Sequence, residues 1–236
     1  MSLLIQQIRN DLAANVDEQI KKSTHRFFKE EIKNYGIKTA IVGKIAKKYW
    51  QQVRNKPQQE IFSLCEELYK SGYIEEAFIV SCWMPEYIEN LRSSDIDTFK
   101  RWIECYITNW AECDSFCNHT IGDLIEKYPE IVPEVKTWAK SQNRWLKRAA
   151  AVSFIIPAKQ GKYLVDAFEI CYLLLLDGDD MVQKGYGWLL KEESRKHQKE
   201  VFDYVVKHRK VMPRTALRYA IELMPKELKA EAMQKA

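Results

Sequence analysis

Glycine and proline are scarce in this chain, eight and seven residues of 236, about half the usual combined share of roughly 12%. Turn-dense sandwiches and barrels are thereby disfavoured and helices favoured. Long apolar runs are missing too. The longest, Tyr163 to Leu176, is interrupted by Asp166 and Glu169 and is too short to cross a hydrocarbon core of about 30 Å. The opening residues, Met1-Ser2-Leu3-Leu4-Ile5-Gln6, offer neither a basic region nor a sustained apolar stretch, so no signal peptide is expected and the expected location is the cytoplasm. Six cysteines without an export signal are expected to be free thiols. GxGxxG, GxxxxGK, GxSxG, HExxH and CxxC do not occur, which removes local support for the common nucleotide-binding, hydrolase, zincin and redox chemistries.

What remains is helical periodicity. Leu4, Ile5, Ile8 and Leu12 form one apolar stripe and Ile41, Ile45, Ala46 and Tyr49 another. The spacing recurs in Ile61, Leu64, Cys65 and Leu68, and in Phe99, Trp102, Ile103, Tyr106 and Ile107. Gly36, Pro57, Gly72, Pro85, Pro129, Pro133, Pro157, Gly161, Gly178, Pro213 and Pro225 fall between such segments like joints. Ser94-Asp95 and Asp179 read as helix starts. Helix pairs at about 35 to 45 residues per unit fit HEAT-like repeats, and no linker is long enough to divide residues 1–236, so a single domain is expected.

The net charge of +4 is unevenly spread. Residues 1–56 hold 12 Lys and Arg against 5 Asp and Glu, residues 191–236 hold 12 against 7, and residues 57–190 hold 13 against 21. Two basic ends around an acidic middle suit a chain that grips a polyanion at two places, although solvated helix faces account for the same distribution. Inside the acidic middle, Lys136, Lys140, Arg144, Lys147, Arg148, Lys159 and Lys162 follow one another with no carboxylate between Glu134 and Asp166.

Four segments carry candidate chemistry. In the first, Trp110 and Asp114 stand at i and i+4, on one helical face; by spacing alone a surface Asp beside a core Trp is the stronger account. Arg144 and Arg148 share a face beside Lys147 and the small residues Ala149 to Ala151, an arrangement that suits phosphate contacts and equally an ion-paired surface helix. Gly185-Tyr186-Gly187-Trp188 places a lone GxG inside a helical segment, where close helix packing explains it better than phosphate binding. Pro213 starts a helix with Arg214, Thr215 and Arg218 in or near its first turn. Cys113, Cys117 and His119 lack a fourth ligand, so no metal is expected.

Together these segments resemble the DNA alkylation repair enzyme family, the AlkD-like DNA glycosylases: Asn109-Trp110 with Asp114, Arg144-Trp145-Leu146-Lys147-Arg148-Ala149, Gly187-Trp188-Leu189-Leu190-Lys191-Glu192, and Met212 to Glu222. Phe27-Phe28-Lys29 and Gly36-Ile37-Lys38-Thr39 match as well, whereas Ala40-Ile41-Val42-Gly43 departs from the polar, basic stretch expected there. The resemblance implies an all-α superhelix, a solenoid of HEAT-like repeats with a concave basic face that holds duplex DNA containing alkylated purines. It implies hydrolytic excision of cationic N3- and N7-alkylated purines, with Asp114 as the catalytic carboxylate, Trp110 and Trp188 around the lesion's deoxyribose and Arg148 on phosphate. Arg144, Lys147, Lys191, Arg214, Thr215 and Arg218 are the further DNA contacts expected. No cofactor, membrane or obligate protein partner is expected, and the chain is expected to act as a monomer. A non-catalytic HEAT-repeat protein binding damaged or branched DNA is the alternative, and a protein-interaction scaffold a third.

Overall fold

The structure is a computed structural model and describes residues 2–234. Among the described residues there is no β-strand; Lys33 and Tyr73 form an isolated bridge. No described helix is long and apolar enough to cross a membrane. The chain divides into two compact units, one running up to Arg92 and resuming at Cys105–Phe116, the other formed by Ser93–Glu104 and the chain from Cys117 onward.

The first unit contains α1 (Leu3–Ala13), α2 (Glu18–Thr24), α3 (Thr39–Val53), α4 (Gln58–Tyr69) and α5 (Ile74–Glu86); the stripes predicted for α1, α3 and α4 face inward, with Ile5, Ile8, Leu12, Ile45, Ala46, Tyr49, Ile61, Cys65 and Leu68 all buried. Ser2 and Asp17 cap α1 and α2 through their side-chain oxygens, each satisfying N–H groups that the helix start leaves open. Residues 28–38 form an extended strap, and the two acidic residues that open α5 hold it. Glu75 accepts hydrogen bonds from the backbone N–H groups of Tyr35 (3.0 Å), Gly36 (2.9 Å) and Ile37 (3.3 Å). Glu76, fully buried, accepts from the Tyr35 hydroxyl at 2.8 Å and pairs with Arg9 of α1 at 3.0 Å. Gly36 is required where the strap turns: its φ is +86°, and a Cβ there would lie 2.5 Å from the Lys21 Cβ.

The next helix, α6 (Ile96–Tyr106), begins after Ser94-Asp95 as expected and has its first nine residues in the second unit; α7 (Trp110–Phe116) lies in the first. In the second unit a π-helical turn, Cys117–Ile121, leads into α8 (Gly122–Lys127), followed by α9 (Val132–Thr137), α10 (Arg144–Val152), α11 (Ile155–Lys159), α12 (Leu164–Leu173), α13 (Asp180–Glu193), α14 (Gln198–His208), α15 (Arg214–Ala220) and α16 (Lys226–Ala232). Helices α10, α13 and α15 pack side by side in one row; α9, α12 and α14 form a second row against it. The pairs α9/α10, α12/α13 and α14/α15 thus repeat one helix-turn-helix unit, and the inner helices begin at Arg144, Asp180 and Arg214, intervals of 36 and 34 residues. Both intervals lie at the lower edge of the roughly 35 to 45 residues per unit expected from the sequence joints. Asn143 and Asp179 cap α10 and α13.

Three predicted joints lie inside α-helices. Pro85 sits in the last turn of α5, Pro133 is the second residue of α9 and Pro157 the third residue of α11. At a helix start a missing N–H costs nothing, because that group has no intrahelical acceptor.

Candidate functional site

Trp110 and Asp114 are set by the way α7 begins. The buried Asn109 side chain accepts hydrogen bonds from the N–H groups of Ala111 and Glu112, both at 3.1 Å. Glu112 reaches back to the Thr108 N–H at 2.9 Å and its hydroxyl at 3.2 Å. This reciprocal cap satisfies orphan donors from both sides and fixes the entry of the helix. Burial pushes the Glu112 carboxyl above the usual range, and the Thr108 and Asn109 donors oppose that rise.

The half-buried Trp110 indole stacks on Phe28, with centroids 5.4 Å apart and planes inclined by 19°, and its Nε1 donates to the Phe27 carbonyl at 3.4 Å. The strap therefore clamps Trp110 from a point 82 positions away in sequence. Asp114, one turn further along α7 and on the same helical face as Trp110, is partly exposed to solvent. Phe27, beside the clamp, is 73% exposed. Sequence reading finds the Trp110–Asp114 pair; it matches Phe27-Phe28 to the family but cannot assign Phe28 its stacking partner.

The second unit holds the remaining candidates. Arg148 lies on α10, buried, and donates to the carbonyl of Met181 at the start of α13. Gly185 makes room for it: a Cβ there would lie 3.2 Å from the Arg148 Cγ. Gly187 permits an even closer approach, since its Cβ would fall 2.8 Å from the Ala216 carbonyl oxygen and 2.8 Å from the Tyr219 Cβ of α15. The GxG is a packing device, as its helical setting predicts. Between these contacts Trp188 is half-buried and donates to Glu192 at 3.1 Å. Burial raises the Glu192 carboxyl, but hydrogen bonds from Arg195 and Trp188 outweigh this and hold it below the usual carboxylate range.

The expected DNA-contacting cations divide into two groups. Arg144 pairs with Asp179 at 2.8 Å, Lys147 with Asp177 and Lys191 with Glu222 at 2.9 Å. Together with Lys136 on Asp166 and Glu169, and Lys162 on Glu126, these pairs draw on carboxylates distant in sequence and neutralise much of the local basic excess. Partly exposed pairs of this kind are worth only about 0–1 kcal/mol, so an incoming phosphate can compete for the cation. Arg214 and Arg218 on α15 are exposed, with Thr215 half-buried between them. Cys113 and Cys117 are buried free thiols, and all six cysteines are free as expected.

The fold has a solved counterpart. A structure described as a predicted DNA alkylation repair enzyme from Enterococcus faecalis superposes with a TM-score of 0.81 over 90% of this chain and 98% of that one, at 14% sequence identity. No curated protein sequence matches the chain. The family model for DNA alkylation repair enzymes matches residues 8–224, and the chain accordingly belongs to the DNA alkylation repair enzyme family, a membership that supports a role in the repair of alkylated DNA.

Proposed function

We propose that the protein is a monofunctional glycosylase that releases cationic N3- and N7-alkylated purines from duplex DNA. The observation that carries this reading is the carboxylate of Asp114, partly open to solvent, one turn from an indole held in place by a capped helix start and a stacked phenyl ring.

An alkylated purine is already a positively charged leaving group. As its bond to C1′ breaks, the base takes the electron pair and the sugar becomes electron-poor. A fixed carboxylate stabilises that charge and orients a water molecule, whose oxygen bonds to C1′ while its proton passes to the carboxylate or to solvent. Indole faces favour the same cationic sugar. Neutral bases gain much less, because no general acid is assigned to protonate them. In this reading Trp188 supplies a second aromatic face and Arg148 a phosphate contact, as the family resemblance implies. Arg144, Lys147, Lys191, Arg214, Thr215 and Arg218 add backbone contacts, so binding weakens steeply with salt.

Methylated duplex DNA incubated with the wild-type protein and with Asp114→Asn tests the proposal through the free bases released. Excision by the wild type alone, with both proteins retaining DNA affinity, is expected. Binding without excision by either would leave a non-catalytic DNA-binding repeat protein.

A further inference from the structure

The outer row of the second unit contains a groove of about 730 Å³. Helix α12 runs along its middle, α9 and the turn after it form one side, and α14 the other. The groove has an apolar floor: Val165 is 69% exposed, Tyr172 65% and Leu173 42%, and the stripe continues at Leu176, 74% exposed in the turn after α12. Positions 165, 172, 173 and 176 share one helical face. A contiguous apolar patch of this kind is unusual on a surface that meets only water, and it marks an interaction site. Beneath it Phe168 stacks on Tyr204 at 4.8 Å and Tyr204 packs on His208 at 4.5 Å, which makes the floor rigid. The Tyr204 hydroxyl is buried without a hydrogen-bond partner.

Charge on the two sides identifies the occupant. Lys140 on the α9 side and Lys207 on the α14 side are exposed and have no ion-pair partner among the described residues. The carboxylates of α12, Asp166 and Glu169, are both turned onto Lys136. An apolar channel with a free cation on each side complements a segment that is apolar along one face and acidic at its flanks. The groove lies on the row opposite α10, α13 and α15, which carry Arg148, Trp188 and Arg218. We propose that this groove docks an amphipathic, acidic helical segment of an accessory partner protein, by the helix-in-groove mode. The proposal does not rest on the glycosylase reading.

The test uses a fluorescein-labelled peptide of about 18 residues, five helical turns, with Leu and Phe on one face and Glu on the flanks, titrated against the full chain by anisotropy. Its Lys-for-Glu counterpart and a single-stranded oligonucleotide serve as competitors. Saturable binding of the acidic peptide is expected, weakened by salt and reduced about tenfold or more by Tyr172→Ala and by Lys207→Glu, with unchanged melting temperatures because both residues are exposed. Equal binding of the basic peptide, absence of saturable binding, or unchanged affinity in both variants would overturn the proposal. Displacement by the oligonucleotide in preference to the acidic peptide would overturn it in favour of a nucleic-acid groove.

Discussion

Glu193 provides a sharp test of the packing described for the second unit. It lies in the last turn of α13, fully buried, and neither carboxylate oxygen has a hydrogen-bond partner. Burial alone pushes its pKa from 4.5 up to about 8, so the folded protein holds it protonated at neutral pH while the unfolded chain ionises it. A carboxyl raised in this way contributes its full stability below about pH 4.5 and loses it progressively as pH rises toward about 8. The loss is about 1.4 kcal/mol per pH unit, or roughly 3 kcal/mol by pH 7. Glu193→Gln cannot ionise. Whatever constant cost the buried amide carries cancels when the two proteins are compared at two pH values. Urea denaturation at pH 4.5 and 7 should show the variant gaining roughly 3 kcal/mol on the wild type across that interval. Parallel pH profiles for the two proteins would refute a buried, unpaired carboxyl at this position.

Other perturbations address the elements that carry the candidate site. Gly187→Ala places a methyl group against the Ala216 carbonyl of α15; the overpacking cost of about 1–3 kcal/mol exceeds the helix-propensity gain of about 1 kcal/mol, so the melting temperature should fall. Asn109→Ala removes the cap of α7 and should cost about 1 kcal/mol in denaturant melts, with slower excision because Trp110 and Asp114 lose their fixed entry. Arg148→Ala strips the donor from the Met181 carbonyl and should cost about 1–3 kcal/mol of stability. If Arg148 also binds phosphate, the salt slope of DNA affinity should shrink by about one unit; a stability loss with an unchanged slope would make it a strut between α10 and α13 only.

Much of the helical architecture is legible in the sequence because apolar periodicity and capping are local. Stripes such as Ile61, Cys65 and Leu68 map onto buried faces, Asp179 caps the helix it precedes, and a GxG within a helical segment marks a close helix crossing. Long-range pairing is not legible in the same way. The run from Lys136 to Lys162 reads as bare positive charge, yet Asp166, Asp177, Asp179 and Glu126 neutralise much of it once the helices pack. Arg148 reads as a surface cation from its place beside Lys147, but the glycine that opens a slot for it lies 37 residues away. The Phe28–Trp110 stack depends on a strap fixed by Glu75 and Glu76, and no periodic pattern encodes such a contact. Glu193 has no sequence mark that separates it from Glu192, which faces Trp188 and Arg195.

Single-turnover release of 7-methylguanine and 3-methyladenine from one methylated duplex, measured for the wild type and Asp114→Asn at matched DNA occupancy, is the most direct test of the central claim. Release by the wild type, slowed by about 100-fold or more in the variant, is the predicted result. Equal rates for the two proteins would remove the carboxylate of α7 from the chemistry.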